Sequence, residues 1–356
     1  MSENPNCIVT VITTTFNLIK NNRVDFFKQC VESVHSQDYQ HIEHLVIDGA
    51  SSDGSLEIIR EYEQKGWLTC ISEPDKGIYD AMNKGIRLAK GKYIAFLNSD
   101  DFWHDSHGVS ESVRALEATQ AAFSYADRNI ISLEGKLIWY ERANVALFLH
   151  QMPFCHQTIF TRRDTLLKYN GFNLAEYKSA ADYDLIVRMI MGGESCVYVP
   201  CNFTSFRCGG FSTTDTTQSD LECDKIKEIH MKGASIEDLH NGRISDDFLQ
   251  HLLCKVHPSI GMNLLRSYTL IKPDVYRLTA GQVLFNEKGE RFSTYSSHEV
   301  TPVNPSPAAN SAVAHQRGTI RHRLFGFIPV MKIKYKPNKT AYLLFGFLPL
   351  WTRIIK

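Results

Sequence analysis

Asp100 and Asp101 follow the apolar run Ala95-Phe96-Leu97 in the stretch AFLNSDDFW. Two adjacent carboxylates at the end of a buried strand repel each other unless a cation or hydrogen-bond donors offset their charge. A divalent metal would do so. Mg²⁺ binds through one or two carboxylates, waters and the phosphates of a substrate, so a site with few protein ligands suits it; the plainer reading of the pair is a solvated turn. Asp182 and Asp184 in SAADYDLIVRM are the second pair. Residues two apart at a helix start point in different directions. One can therefore cap the helix while the other faces a crevice and acts as general base on a hydroxyl, unless both merely favour the helix N-terminus. In IDGASSDGS, Asp48 and Asp53 with Ser51 and Ser52 can hydrogen-bond a base or ribose, or cap the next helix. His156 and Gln157 stand just before a strand, where a lone histidine is more often structural than catalytic.

The elements that must position these residues alternate. CIVTVITTT is β-branched and apolar, as a strand buried on both faces should be. Phe26, Phe27, Cys30, Val31 and Val34 then fall at helical spacing over Asp25–Ser36. The cycle repeats with the strand HLVID, a helix over Ser55–Gln64, the strand WLTCIS, a helix over Ile78–Lys90 and the strand KYIAFL. Strand, helix, strand, helix is the pattern of a parallel sheet with right-handed crossovers. At its carboxyl edge, where open α/β sheets bind ligands, four polar loops would converge: Thr14–Asn17, Asp48–Gly54, Glu73–Gly77 and Asn98–Asp101. The second loop has the glycine spacing of a phosphate loop without its lysine, and no GxGxxG follows the first strand. That turns the reading away from nucleoside triphosphatases and dinucleotide enzymes.

Farther on, AAFSYA, NIISLEGKLIWY (folded around Glu134-Gly135-Lys136), QTIFTR and ESCVYVP read as strands of a mixed sheet, with a short helix over Asp184–Met191. Trp103 and Trp139 read equally as core or as sugar-stacking surface. The expected organisation is a catalytic domain over 1–216, a helical extension over 217–300, a Pro/Ser/Ala/Asn-rich linker over 301–318 and a basic, aromatic repeat unit over 319–356. In that unit LFGFIPVMKIK and LFGFLPLWTRI lie 20 residues apart and suggest strands turning at Gly and Pro.

Composition bounds the class. Hydrophobic residues make up 43% of the 356, ample for a core, and nine scattered cysteines with no CxxC pair read as reduced core thiols. No basic segment precedes an apolar stretch at the N-terminus, and Ala341–Trp351 is too short to span a bilayer. The expected location is cytoplasmic, with no nucleic-acid partner. The zero net charge conceals an asymmetry: residues 300–356 carry nine positive charges and no acid, leaving the first 299 at net −9. Two readings of this tail stand side by side, peripheral docking on the anionic inner face of a membrane and a small accessory β-unit packed on the body or on a partner.

In this order, TTTFN, VIDGASSDGS, SEPDKGIYDAMNKGI, GKYIAFLNSDD and SAADYDLIVR resemble the family 2 glycosyltransferases, over about residues 8–215. The third is most like bacterial enzymes that assemble capsule, lipopolysaccharide O-antigen or other surface polysaccharides. The resemblance implies a GT-A fold, a Rossmann-like mixed sheet flanked by helices. It also implies a hexosyltransferase that moves a sugar from a nucleotide-sugar to a hydroxyl of a glycan or lipid-linked acceptor, inverting the anomeric carbon. By position, Thr14, Phe16 and Asp48 would hold the nucleoside, with Asn83 in support and Asn17, Ser51, Asp75 and Lys76 as further donor-site candidates. Asp100 would face the ribose or sugar, and Asp101, together with Asp100, would hold Mg²⁺ or Mn²⁺ against the diphosphate. Asp182 matches the carboxylate that deprotonates the acceptor.

Three positions depart from the family pattern: Gly49 where many members carry a second Asp, Asn98 where an Asp-x-Asp pattern has its first acid, and Ala181 where a Glu often precedes the base. A UDP-sugar is the favoured donor, although the missing acid at 49 removes one contact to a uracil ring. A sugar nucleotidyltransferase would need a basic Gly-rich loop after the first strand, which TTTFNLIKNN lacks. A non-catalytic sugar-binding protein would not be expected to retain Asp100, Asp101 and Asp182.

Overall fold

The computed structural model describes residues 9–209, 216–240 and 244–271, and the strand segments 284–285, 291–292, 319–324, 328–336, 339–344 and 348–354. The chain divides into two compact units, Met1–Leu264 and Leu265–Lys356. In the first, β1 (Val9–Thr15), α1 (Val24–His35), β2 (Ile42–Asp48), α2 (Ser55–Gln64), β3 (Thr69–Ser72), α3 (Ile78–Leu88) and β4 (Tyr93–Phe96) follow the alternation expected of them. β1 pairs in parallel with both β2 and β4, and β2 with β3. The strand order 3-2-1-4 therefore sets all four carboxyl ends side by side.

The β-branched run VTVITTT occupies the centre because both its faces are covered. On one face Val9, Val11, Tyr93, Ala95 and Leu97 meet Cys30 and Val34 of α1. Helix α3 lies close over the other: a Cβ on Gly85 would stand 2.6 Å from Ile12 Cγ2, so only glycine admits this approach.

The sheet continues through β5 (Phe102–Trp103), α4 (Gly108–Thr119), β6 (Phe123–Ile131), β7 (Leu137–Glu141), β8 (Phe160–Arg162), α5 (Arg163–Lys168), α6 (Ala181–Met191) and β9 (Cys196–Arg207). The two segments expected at AAFSYA and NIIS are one continuous strand, β6, because β9 runs parallel to it along its whole length. β8 pairs antiparallel with β4, Ala95 opposite Phe160, so the residues preceding β8 lie beside the end of β4. Trp103 is core, buried against Phe160 and Phe203, whereas Trp139 is 46% exposed on β7. Cys30, Cys70, Cys155 and Cys196 are buried free thiols as expected, but Cys254 is exposed.

Helices α7 (Thr216–His230), α8 (Ile236–His240), α9 (Asp246–Lys255) and α10 (Pro258–Ile271) follow, and the first compact unit extends through the first three and into α10, to Leu264. The second unit holds a two-stranded antiparallel pair, β10 (Leu284–Phe285) and β11 (Arg291–Phe292), and a four-stranded meander, β12 (Thr319–Leu324), β13 (Ile328–Lys336), β14 (Lys339–Leu344) and β15 (Leu348–Ile354). The 20-residue repeat appears as two hairpins in equivalent register, Leu324 opposite Ile328 and Leu344 opposite Leu348. The linker expected over 301–318 and residues 1–8 lie outside the described residues. Among the described residues, no helix is long and apolar enough to cross a membrane.

Candidate functional site

Asp48, at the end of β2, is wholly buried. One carboxylate oxygen accepts from Thr15 Oγ1 (3.2 Å) and Ser51 Oγ (2.5 Å), the other from the Ser51 N–H (2.9 Å) and Ser72 Oγ (2.7 Å). It thereby ties the ends of β1, β2 and β3 together, and its charge is met by four donors in place of water. Asn17 adds a second tie: its N–H donates to Ser51 Oγ (2.8 Å) and its side-chain oxygen accepts from the Ser52 N–H (3.1 Å). Asp53 accepts from the Ser55 and Lys20 N–H groups (3.1 and 2.8 Å), so it serves the helix start as the capping reading expects.

Phe16, Gly49 and Asp75 converge beside this knot. Phe16 is 59% exposed, and a Cβ on Gly49 would stand 2.6 Å from Asp75 Oδ2 and 3.2 Å from the Phe16 ring. The third loop thus brings a carboxylate against the position where many relatives of the resemblance carry one on the second loop. Thr14 is half-buried at the same edge, and the exposed Lys76 donates its N–H to Asp80 (3.0 Å). Asn83 spends its whole amide on the Phe172 main chain (2.8 and 2.9 Å), holding the loop before α6.

The two acids after β4 divide sharply. Asp100 faces the crevice, its side chain 14% exposed and paired with Arg23, which also donates to the Gly209 carbonyl (3.2 Å). Asp101 is 1% exposed and turned inward, accepting from Gln157 Nε2 (2.5 Å) and the Arg207 N–H (2.5 Å). Burial first, and Asp100 second, raise the Asp101 pKa, an effect that these donors only partly offset. Arg207 secures the turn, its side chain bonding the Asp100 carbonyl (2.9 Å) and lying 4.1 Å over the Phe26 ring. The geometry therefore places Asp100, and not Asp101, where a substrate-bound cation could meet it. Asn98 stands at the same strand end; its N–H donates to Gln157 Oε1 (2.9 Å), while its buried Oδ1 has no partner.

The donors at this edge fit a divalent metal. An unmet amide oxygen and a crevice-facing carboxylate are the hard oxygen ligands that Mg²⁺ and Mn²⁺ take. Among the described residues no group of three or more His, Cys, Asp or Glu side chains could hold a metal alone, so phosphate and water would complete its shell.

The second acid pair also divides. Asp182 Oδ1 accepts from Tyr79 OH (3.1 Å) and the Tyr183 N–H (2.9 Å), and Oδ2 lies 3.4 Å from His156 Nδ1. Burial alone would raise the Asp182 pKa, but the contacts from His156, Tyr183 and Tyr79 prevail and hold it below the ordinary carboxylate value. Asp184 is internal, 2.8 Å from Arg188 Nε and 3.5 Å from His230 Nε2. The loop that delivers Asp182 is held from α7: Glu222 accepts the N–H groups of Lys178 (3.0 Å), Ser179 (2.8 Å) and Ala180 (2.9 Å).

Residues 10–181 match the family model described as Glycosyl transferase family 2. They are a family 2 glycosyltransferase domain. The chain is 29% identical over 233 residues to an uncharacterized glycosyltransferase of Mycobacterium tuberculosis, a match covering 63% of this chain and 84% of that one. It is 32% identical over 120 residues to the Escherichia coli UDP-Glc:alpha-D-GlcNAc-diphosphoundecaprenol beta-1,3-glucosyltransferase WfaP, covering 34% of this chain and 45% of WfaP. The fold is similar to that of S. aureus TarS residues 1–349 in complex with UDP-GlcNAc, with a TM-score of 0.52 at 14% identity over 80% of this chain and 95% of that one. The transferase is thus an enzyme with the GT-A architecture that the motifs implied.

Several site residues of this transferase were not identified from its motifs. Arg23, Arg207 and Glu222 reach the site from 77, 107 and 42 residues away in sequence, and their own surroundings (NNRVD, SFRCG, DLECD) carry no pattern. Tyr79 lies inside a quoted motif, and the signal for it was its place one turn before Asn83 on the inward face of α3. His156, a lone histidine in sequence, lies against Asp182.

Proposed function

We propose that the transferase moves a sugar, from a UDP-sugar by preference, to a hydroxyl of a glycan or lipid-linked acceptor in bacterial surface-polysaccharide synthesis, with inversion and with Mg²⁺ or Mn²⁺. The observation that carries this reading is the link between the two acid pairs through one turn: Asp182, at the start of α6, lies 3.4 Å from His156 Nδ1, and the next residue, Gln157, bonds Asn98 and Asp101 at the carboxyl edge of the parallel strands, beside Asp100. The printed names of the relatives support it: WfaP takes a UDP-sugar to a lipid-diphosphate acceptor, and TarS was crystallised with UDP-GlcNAc.

Phe16, exposed beside the Asp48 knot, offers a ring face to a nucleobase, and Asp75 supplies the carboxylate that Gly49 does not. Asp48, Asn17 and Ser51 hold the loops that present these groups. Asp100 and the free Asn98 oxygen would hold the metal, which as a Lewis acid stabilises the charge growing on the leaving diphosphate. Arg23, already on Asp100, provides positive charge at the same place when the metal is absent. On the opposite side the Asp182 cluster takes the proton of the acceptor oxygen as it attacks the sugar carbon. One face for the leaving group and another for the attacking hydroxyl is the geometry of inversion.

The test is thermal stabilisation by a panel of UDP-, GDP- and dTDP-sugars with and without Mn²⁺. A UDP-sugar should raise Tm only with the metal; Asp100→Ala should lose that increment, and Asp182→Asn should keep it while transfer falls about 100-fold or more. Stabilisation by no nucleotide-sugar, or transfer by Asp182→Asn at the parent rate, refutes the reading.

A further inference from the structure

The β6–β7 hairpin is apolar where it meets water. Leu133, Leu137, Ile138, Trp139 and Tyr140 are each 46–61% exposed. Single exposed apolar residues are ordinary on a protein surface, but a cluster of them in one hairpin marks a surface that binds something. The strand register identifies what shares a face with Trp139. Trp139 stands opposite Ile130 and Glu141 opposite Arg128, and Ile130 in turn stands opposite Phe206 of β9. Paired residues, and residues two apart on a strand, point to the same side of a sheet. Trp139, Glu141, Arg128 and the partly buried Phe206 therefore lie on one face, where Arg128 pairs with Glu141 and its guanidinium stands 4.7 Å over the Phe206 ring. Two routes connect this face to Asp182. Arg128 also bonds the side chain of Cys155, the residue before His156, whose Nδ1 is 3.4 Å from Asp182. From β7 the chain passes through Asn144 into the buried turn Val145–Leu149, where the Phe148 carbonyl accepts from Tyr183 OH (2.6 Å), the neighbour of Asp182 on α6.

We infer that this face of the hairpin binds the acceptor as a glycan chain, with the Trp139 ring as the platform for a sugar beyond the one whose hydroxyl Asp182 deprotonates. This rests on the transferase reading above and adds the class of acceptor, an oligosaccharide and not a single sugar. Trp139 is about 7 Å along β7 from Glu141, and Arg128 and Cys155 still lie between Glu141 and His156. That span exceeds one pyranose ring. A pyranose presents a flat patch of C–H groups surrounded by hydroxyls. The C–H patch matches the negative face of an indole, and the hydroxyls match a guanidinium and a carboxylate held side by side, which together donate and accept. An apolar occupant would have to cover that charged pair without hydrogen-bonding it, at a cost in free energy. The composition of the face thus favours a sugar over a lipid surface.

The test applies the full chain, fluorescently labelled and with UDP and Mn²⁺ present, to an array of bacterial surface monosaccharides and oligosaccharides. The parent should retain oligosaccharides in preference to monosaccharides. Trp139→Ala should weaken binding of a retained glycan about tenfold, and Trp139→Tyr, which keeps a ring, should restore most of the affinity. Trp139→Leu, which keeps apolar area without a flat ring, should lose as much as Trp139→Ala. Because the indole is half exposed, all three variants should unfold at the parent Tm and keep the thermal shift given by a nucleotide-sugar. With a retained glycan as acceptor, the loss should fall on acceptor KM and leave kcat unchanged. Retention of no oligosaccharide, equal retention of monosaccharides, or an affinity that Trp139→Ala leaves within about twofold of the parent overturns the inference. An affinity that Trp139→Leu preserves assigns the face to a plain apolar contact with lipid or protein, and overturns it as well. A parent chain that binds no nucleotide-sugar refutes the transferase reading itself; a parent that binds one, together with any of the overturning outcomes, refutes this inference alone.

Discussion

At the end of β4 the outer acid, Asp100, keeps part of its side chain in the crevice while its neighbour Asp101 is buried; at the start of α6, Asp182 and Asp184 divide in the same way. The inner acids differ in what receives them. Asp184 meets a guanidinium at 2.8 Å and an imidazole at 3.5 Å, whereas Asp101 meets a neutral amide and a main-chain N–H. A buried charge with a cation beside it is a fixed strut, and one met only by neutral dipoles stays sensitive to the charge around it. Asp184 is thus held in position, whereas the protonation of Asp101 depends on the charge at Asp100.

The largest effect expected of this contrast is on stability. Asp184→Ala leaves the partly buried Arg188 with only the carbonyls of Tyr169 (2.6 Å) and Gly171 (2.7 Å), and losing the fully buried partner of such a pair should cost about 2–4 kcal/mol, less than for a pair buried on both sides. Asp182→Ala, at a partly exposed side chain, should cost about 1 kcal/mol. Denaturant unfolding of the two variants measures the difference, and equal losses would remove the distinction between inner and outer acid.

A smaller effect separates the inner acids from each other. Because the Asp101 pKa is raised in the folded chain, the folded state holds that proton more tightly than the unfolded state. Its contribution is therefore complete at low pH, below the unfolded value, and is lost as pH rises through the folded value. Unfolding free energy should fall by about 1–2 kcal/mol between pH 6 and 8, and Asp101→Asn should abolish that slope. A parent chain with a flat profile, or a slope that survives in Asp101→Asn, would show that Arg23, Arg128 and Arg207 fully neutralise the site.

How much of this was legible follows from the range of the interactions. The parallel strands were legible because apolar β-branched runs and the polar loops after them are local patterns, and α2 begins and ends where its spacing placed it. The split of Asp182 and Asp184 was legible for a similar reason, since helix geometry alone separates residues two apart. The division of Asp100 and Asp101 was not. Adjacent residues after a short strand can turn either way, and the choice is made by Arg207, at the end of β9, and by Gln157. The contact of His156 with Asp182 is not legible either, because the two lie 26 residues apart on different elements. The helices after Thr216 had no assigned role because nothing local marks Glu222 as the anchor of the Asp182 loop.

Asp48 is a third inner acid, and the loop it holds gives the smallest and most local prediction. Ala50 adopts φ 59° between Gly49 and Ser51, a left-handed conformation that costs an L-residue about 1–2 kcal/mol and glycine almost nothing. The turn is required because the Ser51 N–H and hydroxyl must both reach the Asp48 carboxylate. The Ala50 methyl is exposed, so little packing is lost with it. Replacing it with glycine relieves the backbone but gives the unfolded chain more freedom, an opposing effect of about 0.4–1 kcal/mol. Ala50→Gly should therefore stabilise the chain by about 0.5 kcal/mol, with donor affinity unchanged because the Asp48 ties already fix the loop. A loss of stability would mean that the Asp48 ties do not impose the left-handed turn; tighter donor binding would mean that the loop reaches its bound shape only on contact with the nucleotide.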